Sequence, residues 1–282
     1  TLSKSSIAFA NHEWAVAESY TLNVADLNLV NGGNTLTVML LNVSLNSSDF
    51  YFDMSLSASP PMPAFPHEAN VLFSQKAGFY TSPFILTLTS PIEGCTLKYT
   101  IDGSDPGTSS TAVSVNTSSV NITINPSLNI GRGTTPAYVV RACLTKTGYK
   151  PSAALAHTYV FLDKVKSQAH PGAPWPGYNV NGQSLDYAMA SDVVNNATYG
   201  PQLEKALKQI PTISVNTDMA NLFSVATGIY VNAEKGGRAW ERPCSIELID
   251  ANGVQQFQIN AGLRIRGAAS AKQKESAKRA FR

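Results

Sequence analysis

Charge is scarce in this chain. Asp, Glu, Lys and Arg make up 14 % of its 282 residues, against roughly 25 % in a typical soluble domain. Ser, Thr, Asn and Gly fill the gap. Such a surface suits secreted β-proteins better than cytosolic α/β enzymes. The net charge is +2, so nothing global argues for a nucleic-acid partner. Cysteine is scarce too. Cys95, Cys143 and Cys244 are the only three, which leaves at least one unpaired. There is no CxxC, and His12, His67, His157 and His170 lie far apart. That spacing argues against a Cys/His zinc site. Long apolar runs are missing as well, and no window approaches the roughly 18 apolar residues of a membrane helix. The opening TLSKSSIAFA lacks a basic region followed by a long apolar one, so it does not read as a signal peptide. The expectation is that a leader has been removed or that the N-terminus lies upstream.

Catalytic patterns are also absent. The chain has no GxSxG, no HExxH and no glycine-rich phosphate loop. No Ser/His/Asp arrangement is singled out by spacing, and His12 and His157 read as surface or core residues. The 19 acids are scattered, so a glycosidase-like carboxylate pair cannot be nominated.

What is present is strand patterning. Residues 1–58 read as three or four strands, with an NGG turn at Asn31–Gly33 and Phe50, Phe52, Met54 and Leu56 on one face. That stretch is too short to bury a comfortable core. Its strand NTLTVMLLNV followed by SSDFYFDMSL resembles the C-terminal part of a galactose-binding-like jelly roll. Carbohydrate binding there would use exposed aromatics, for which Trp14, Tyr20 and Tyr51 are the candidates. Tyr20 reads as core, which leaves Trp14 and Tyr51. Residues 59–69 form a stiff linker, with SPPMPAFP at its start.

Residues 70–162 are the clearest unit. Strand signals recur at Gly78–Tyr80, Phe84–Thr89, Thr96–Ile101, Val120–Ile124, Tyr138–Leu144 and His157–Phe161, with turn signals between them. That rhythm predicts an immunoglobulin-like sandwich. In YTIDGSDP, Leu97, Tyr99 and Ile101 share one face, and Asp102-Gly103 turns the chain. Two acids in that turn fall short of a calcium shell. The unit, with AGFYTSPFILTLTS, TLKYTIDGSDPG and YVVRACLTKTGYKPSAALAHTYVF, resembles the chitobiase C-terminal or fibronectin-III-associated domain. Cys95 has the parity of the core, whereas Cys143 and Arg141 have that of the outer face. The reading therefore favours two thiols over a disulfide.

Residues 163–182 read as a second linker, and 183–282 as a mixed α+β region. A helix is expected at Pro201–Gln209 and a short one at Asp192–Val194. Strands are expected at Thr212–Val215, Gly228–Val231, Cys244–Ile249, Gln256–Ile259 and Gly262–Arg266. Asn252-Gly253 is a hairpin turn. From Gly262 to Arg282 there are seven basic residues and one acid, Glu275, so this segment is +6 and the remainder −4. Such a cluster reads either as a solvated face or as an anion site. Arg264 and Arg266 read equally as outward strand residues that pair with Glu247 or Glu241. Trp240 reads as a packed lid.

The motifs DYAMASDVVNN, LKQIPTISVNTDMANLF, GIYVN, GRAWERPCSIELID, INAGLRIRGAAS and KRAFR together resemble the opening of the CotH family, secreted or coat-associated proteins with an atypical kinase-like domain. The resemblance implies a nucleotide site in which Lys278 approaches the phosphates, with Arg264, Arg266 and Ser270 as neighbours. ATP and Mg would be its cofactors. The kinase aspartates lie downstream in that family, and this chain has no segment to match them. It stops at KRAFR, in what reads as half a strand, so the domain is expected to continue.

The expectation is thus a mainly β protein. A partial jelly roll and an immunoglobulin-like sandwich precede a partial CotH-like region. It would be structural or adhesive, at a cell surface or outside it, and would bind no cofactor within these residues. Its partners would be extracellular or coat proteins, further copies of itself, or a polysaccharide. Five sequons, at Asn42, Asn46, Asn116, Asn121 and Asn196, would matter only in a eukaryotic secretory pathway.

Overall fold

Alternation of apolar and polar residues builds two facing sheets in the first part of the computed structural model, which describes residues 63–65, 70–267 and 280–282. All of these belong to the second of two compact units, Pro61–Arg282. The jelly-roll expectation, with Trp14 and Tyr51, lies outside the described residues, as do Ser270 and Lys278.

The smaller sheet orders β1 (Leu72–Phe73), β3 (Phe84–Thr89) and β6 (Ser119–Ile124). The larger one orders β2 (Gly78–Phe79), β8 (Leu155–Val160), β7 (Ala137–Thr145), β4 (Thr96–Thr100) and β5 (Val113–Val115). Leu86 and Leu88 from β3, Ile122 and Ile124 from β6, Leu97 from β4, and Tyr138, Val140 and Leu144 from β7 meet in one core. This is the sandwich expected from the strand rhythm. Two of its strands, β1 and β5, were not anticipated. They have two and three residues, too few for a period-2 signal.

Turns hold this frame as their residues predict. Asp102 accepts bonds from Ser104 N–H at 3.0 Å, Ser104 Oγ at 2.5 Å and Thr111 Oγ1 at 2.6 Å. Gly103 takes φ +82°, which a side chain would resist. Arg132 is buried and donates to the carbonyls of Pro126, Leu128, Thr135 and Ala137 and to Thr135 Oγ1. Its guanidinium lies 4.2 Å from the centre of the Tyr138 ring. A planar fork with five donors is what such a set of acceptors needs. Burial lowers the Arg132 pKa to about 10 and raises that of Tyr138 to about 12.

Beyond the sandwich come α1 (Leu162–Val165), the hairpin β9 (Asn179–Val180) and β10 (Gln183–Ser184), and α2 (Ser191–Val194). A 3-10 turn, Gly200–Gln202, leads into α3 (Leu203–Leu207). A three-stranded antiparallel sheet then orders β11 (Thr212–Asn216), β12 (Arg242–Ile249) and β13 (Gln255–Leu263), with α4 (Met219–Phe223) and a 3-10 turn, Arg238–Trp240, between β11 and β12. Asn252-Gly253 makes the expected hairpin turn, and Asp250 Oδ1 caps it through the N–H groups of Asn252 and Val254. A final pair joins β14 (Ile265–Arg266) to β15 (Ala280–Phe281).

Two expectations in this region are corrected. Gly228–Val231 is not a strand. The N–H groups of Ile229, Tyr230 and Val231 bond to the carbonyls of Asn221 and Leu222, so the segment wraps the free end of α4. Nor is Gln256–Ile259 separate from Gly262 onward, because β13 runs unbroken to Leu263.

Candidate functional site

Strand β8 is nearly an edge, since β2 covers it only at Tyr159 and Val160. An open edge presents unpaired backbone groups. Here the neighbouring sheet covers them with side chains. Asn260 Nδ2 donates to the Ala154 carbonyl at 3.1 Å, and Gln255 Nε2 to the Ala156 carbonyl at 3.4 Å. The Thr158 N–H donates to Glu247 Oε1 at 3.1 Å. Ala156 and Thr158 of β8, and Ala154 just before it, are thus each met by a polar side chain.

Glu247 is the centre of this junction. It is fully buried, and its carboxylate also receives Gln255 Nε2 at 2.7 Å, Asn216 Nδ2 at 3.2 Å and the Thr158 hydroxyl. Burial raises its pKa to about 7, against the opposing pull of those hydrogen bonds. A β-bulge between Leu248 and Ile249 sets Gln255 opposite Ile249 and so within reach.

Two further contacts join the sheet to the sandwich. Asp218 Oδ1 accepts the Asp105 N–H at 2.8 Å, while Asp105 Oδ2 pairs with Arg141 at 3.3 Å. The Asn252-Gly253 turn abuts β2 so closely that a Cβ on Gly78 would stand 2.1 Å from the Gly253 carbonyl oxygen.

These contacts correct one sequence reading. Arg141 and Cys143 do have outer-face parity, but that face is covered. Both are buried, and Arg141 donates to the Gly103 carbonyl at 3.1 Å. All three cysteines are free thiols, and burial pushes Cys143 up to about 11.

A cavity of about 360 Å³ lies beside the junction, lined by Ile101, Val139, Trp175, Tyr187, Val215 and Leu222 among others. Three of the polar side chains that line it turn toward backbone. Trp175 Nε1 donates to the Arg132 carbonyl, Gln168 Nε2 to that of Tyr187, and the Tyr187 hydroxyl to that of Pro176.

The basic end is partly visible. Arg264 Nε pairs with Glu241 at 3.2 Å, one of the two partners expected for it. Glu247, the other, is committed to the junction. Arg266 is exposed on β14. The backbones of Arg264 and Arg282 exchange hydrogen bonds at 2.9 and 2.8 Å. Trp240 packs against the cluster of Ile229, Cys244 and Leu263, with the Arg242 guanidinium 5.2 Å from its ring centre. His157 is half-buried and stacks on Phe73, with 4.0 Å between ring centres. Among the described residues no group of three or more His, Cys, Asp or Glu could hold a metal ion.

The junction was not found from the sequence. Glu247 sits in CSIELID as one polar residue alternating with apolar ones, the usual sign of a solvent face. Only the inverted polarity of the sheet, with its polar side inward, reveals its place.

Comparison with known proteins is consistent with the sandwich. Residues 75–155 match the family model described as the chitobiase/beta-hexosaminidase C-terminal domain. The chain matches none of the curated proteins. Among solved structures it is similar to "Drosophila OTK, extracellular domains 3-5", at 10 % identity over 73 % of this chain and 69 % of that one, with a TM-score of 0.26. A likeness that slight carries no argument.

Proposed function

We propose that the chain is a non-catalytic, structural or adhesive segment of a secreted or cell-surface protein of the CotH type. In this reading residues 70–162 are a spacer sandwich and 183–282 the opening of a CotH-like domain, joined by 163–182. Residues 1–58 would be the end of a jelly roll, linked through 59–69. One observation carries the structural role. Side chains of the second sheet occupy the open edge of β8, so the expected boundary is a fixed joint where a flexible linker would allow motion. A spacer that transmits position needs such a joint. The partners would be extracellular or coat proteins, a further copy of the chain, or a polysaccharide. Limited proteolysis tests the reading. Lys205 and Lys208 are exposed between the sandwich and the sheet. Slow cleavage there, with the products held together, is expected. Prompt cleavage that frees the sandwich would sink it.

A second reading has one observation in its favour. The Arg264–Arg282 backbone pairing gathers Arg264, Arg266 and Arg282 on one short ladder. Guanidinium forks suit phosphate oxygens. If this end belongs to an atypical kinase, the chain binds ATP and Lys278→Ala abolishes that binding. Equal ATP binding by the variant would remove Lys278 from the site.

A further inference from the structure

Thr158, Ser214, Asn216 and Glu247 meet at the joint in one ring of hydrogen bonds. Ser214 and Asn216 alternate along β11 and so share a face. The register sets Glu247 of β12 opposite Ser214. That face meets Thr158 of β8. The Thr158 hydroxyl donates to Glu247 Oε2, and its oxygen lies 2.7 Å from Ser214 Oγ and 3.4 Å from Asn216 Nδ2. Asn216 Nδ2 also donates to Glu247 Oε2 at 3.2 Å, and Ser214 Oγ to Asn216 Oδ1 at 3.3 Å. Thr158 is 1 %, Asn216 6 % and Glu247 0 % exposed.

The parts of an acyl transfer are present in this ring. A hydroxyl beside a carboxylate that takes its proton is an activated nucleophile. The amide carbon of Asn216 is one bond, about 1.33 Å, from its Nδ2. A small side-chain rotation therefore brings that carbon to the Thr158 oxygen, in the geometry attack requires. Glu247 Oε2 contacts both the hydroxyl that gives up the proton and the nitrogen that must receive it. It can thus serve first as general base and then as general acid. A pKa of about 7 lets it do both near neutral pH. Ser214 donates to the amide oxygen, where negative charge gathers in a tetrahedral intermediate. Exclusion of water protects the product from hydrolysis.

We propose that Thr158 and Asn216 form an intramolecular ester, a covalent bond between the sandwich and the second sheet. Thr158 Oγ1 attacks Asn216 Cγ, and its proton passes to Glu247. The intermediate expels the amide nitrogen, which takes up that proton and leaves as ammonia. One C–O bond forms and one C–N bond breaks, and nothing is oxidised or reduced. The ester ties together residues 58 apart in sequence. The inference goes beyond the structural reading above, which stands on the hydrogen bonds alone.

Intact-mass measurement of the full chain is the test. A mass about 17 Da below that of the sequence is expected, because one ammonia is lost. Trypsin applied after unfolding should release residues 147–164 joined to residues 209–235. Thr158→Val and Glu247→Gln should restore the mass of the sequence and separate the two peptides, with circular dichroism to check that both variants fold. The full mass in the unsubstituted chain, or two separate peptides, overturns the proposal, and neither result depends on a variant. A deficit that persists in Thr158→Val overturns it too, because it would come from ring closure of Asn216 onto the Thr217 nitrogen. A deficit of about 18 Da, from loss of water, would place the ester on Glu247 and overturn Asn216 as the acyl donor.

Discussion

The carboxylate of Glu247 accepts the backbone N–H of Thr158 at 3.1 Å, across the boundary between the sandwich and the three-stranded sheet. Thr158 lies on the edge of β8, where an unmet N–H would invite another strand. Glu247 meets it with an acid that water does not reach. Breaking this pair would leave a buried donor unsatisfied, at a cost of about 1–3 kcal/mol.

This acid makes stability depend on pH. Its pKa is about 7 when folded, against an ordinary value of 4.5. Below pH 4.5 both states hold the proton and the contribution is fully present. As pH rises the unfolded chain releases its proton first, so folding stability falls until about pH 7 and then levels. The loss is on the order of 3 kcal/mol. Chemical denaturation across pH 4 to 8 should show this fall, and Glu247→Gln should flatten it. An unchanged profile in the variant would remove Glu247 as the cause.

Gly78→Ala should destabilise the chain by about 1–3 kcal/mol. The new Cβ would stand 2.1 Å from the Gly253 carbonyl oxygen, at a backbone φ of +152°. Gly94→Ala is the comparison, since φ is +68° there but nothing lies within 4 Å of the added Cβ. Thermal melts should show the larger loss for Gly78.

Arg132→Lys should cost about 2–4 kcal/mol. An ammonium keeps the charge but cannot serve carbonyls spread over residues 126–137, and its three donors replace five. Urea midpoints at constant slope would measure the loss. A loss below about 0.5 kcal/mol, the range of ordinary surface changes, would show that the guanidinium network is dispensable.

No thiol should react with a disulfide reagent at pH 8 in the folded chain, and three should react after unfolding. Cys95, Cys143 and Cys244 are all buried and free, and the Cys143 thiol is further held back by a pKa near 11. Thiolate is the reactive form. Finding only one thiol after unfolding would mean that two of them are paired.

Much of the sandwich was legible in advance. In β3, Phe84–Thr89 alternates cleanly, and its predicted bounds match the strand. The turns at Asp102-Gly103 and Asn252-Gly253 declare themselves through residue types that few other conformations require. The joint was not legible. Arg141, Cys143 and Glu247 follow strand parity, but parity tells only which side a residue takes and not whether that side meets water. Each faces a layer supplied from about a hundred residues away or from a loop that folds back, and local pattern carries no trace of that layer. Gly228–Val231 failed for a related reason. Its apolar residues are buried as a strand's would be, but the carbonyls of α4 claim its N–H groups.

A fixed joint requires the sandwich and the second sheet to open as one body. Native-state hydrogen exchange on the full chain tests this most directly, because amides report the free energy of the opening that exposes them. The Thr158 amide and the amides of β12 should exchange with the same opening free energy as those in the middle of β7. If β12 and Thr158 open more than about 2 kcal/mol more easily than β7, the joint is loose and the spacer reading is wrong.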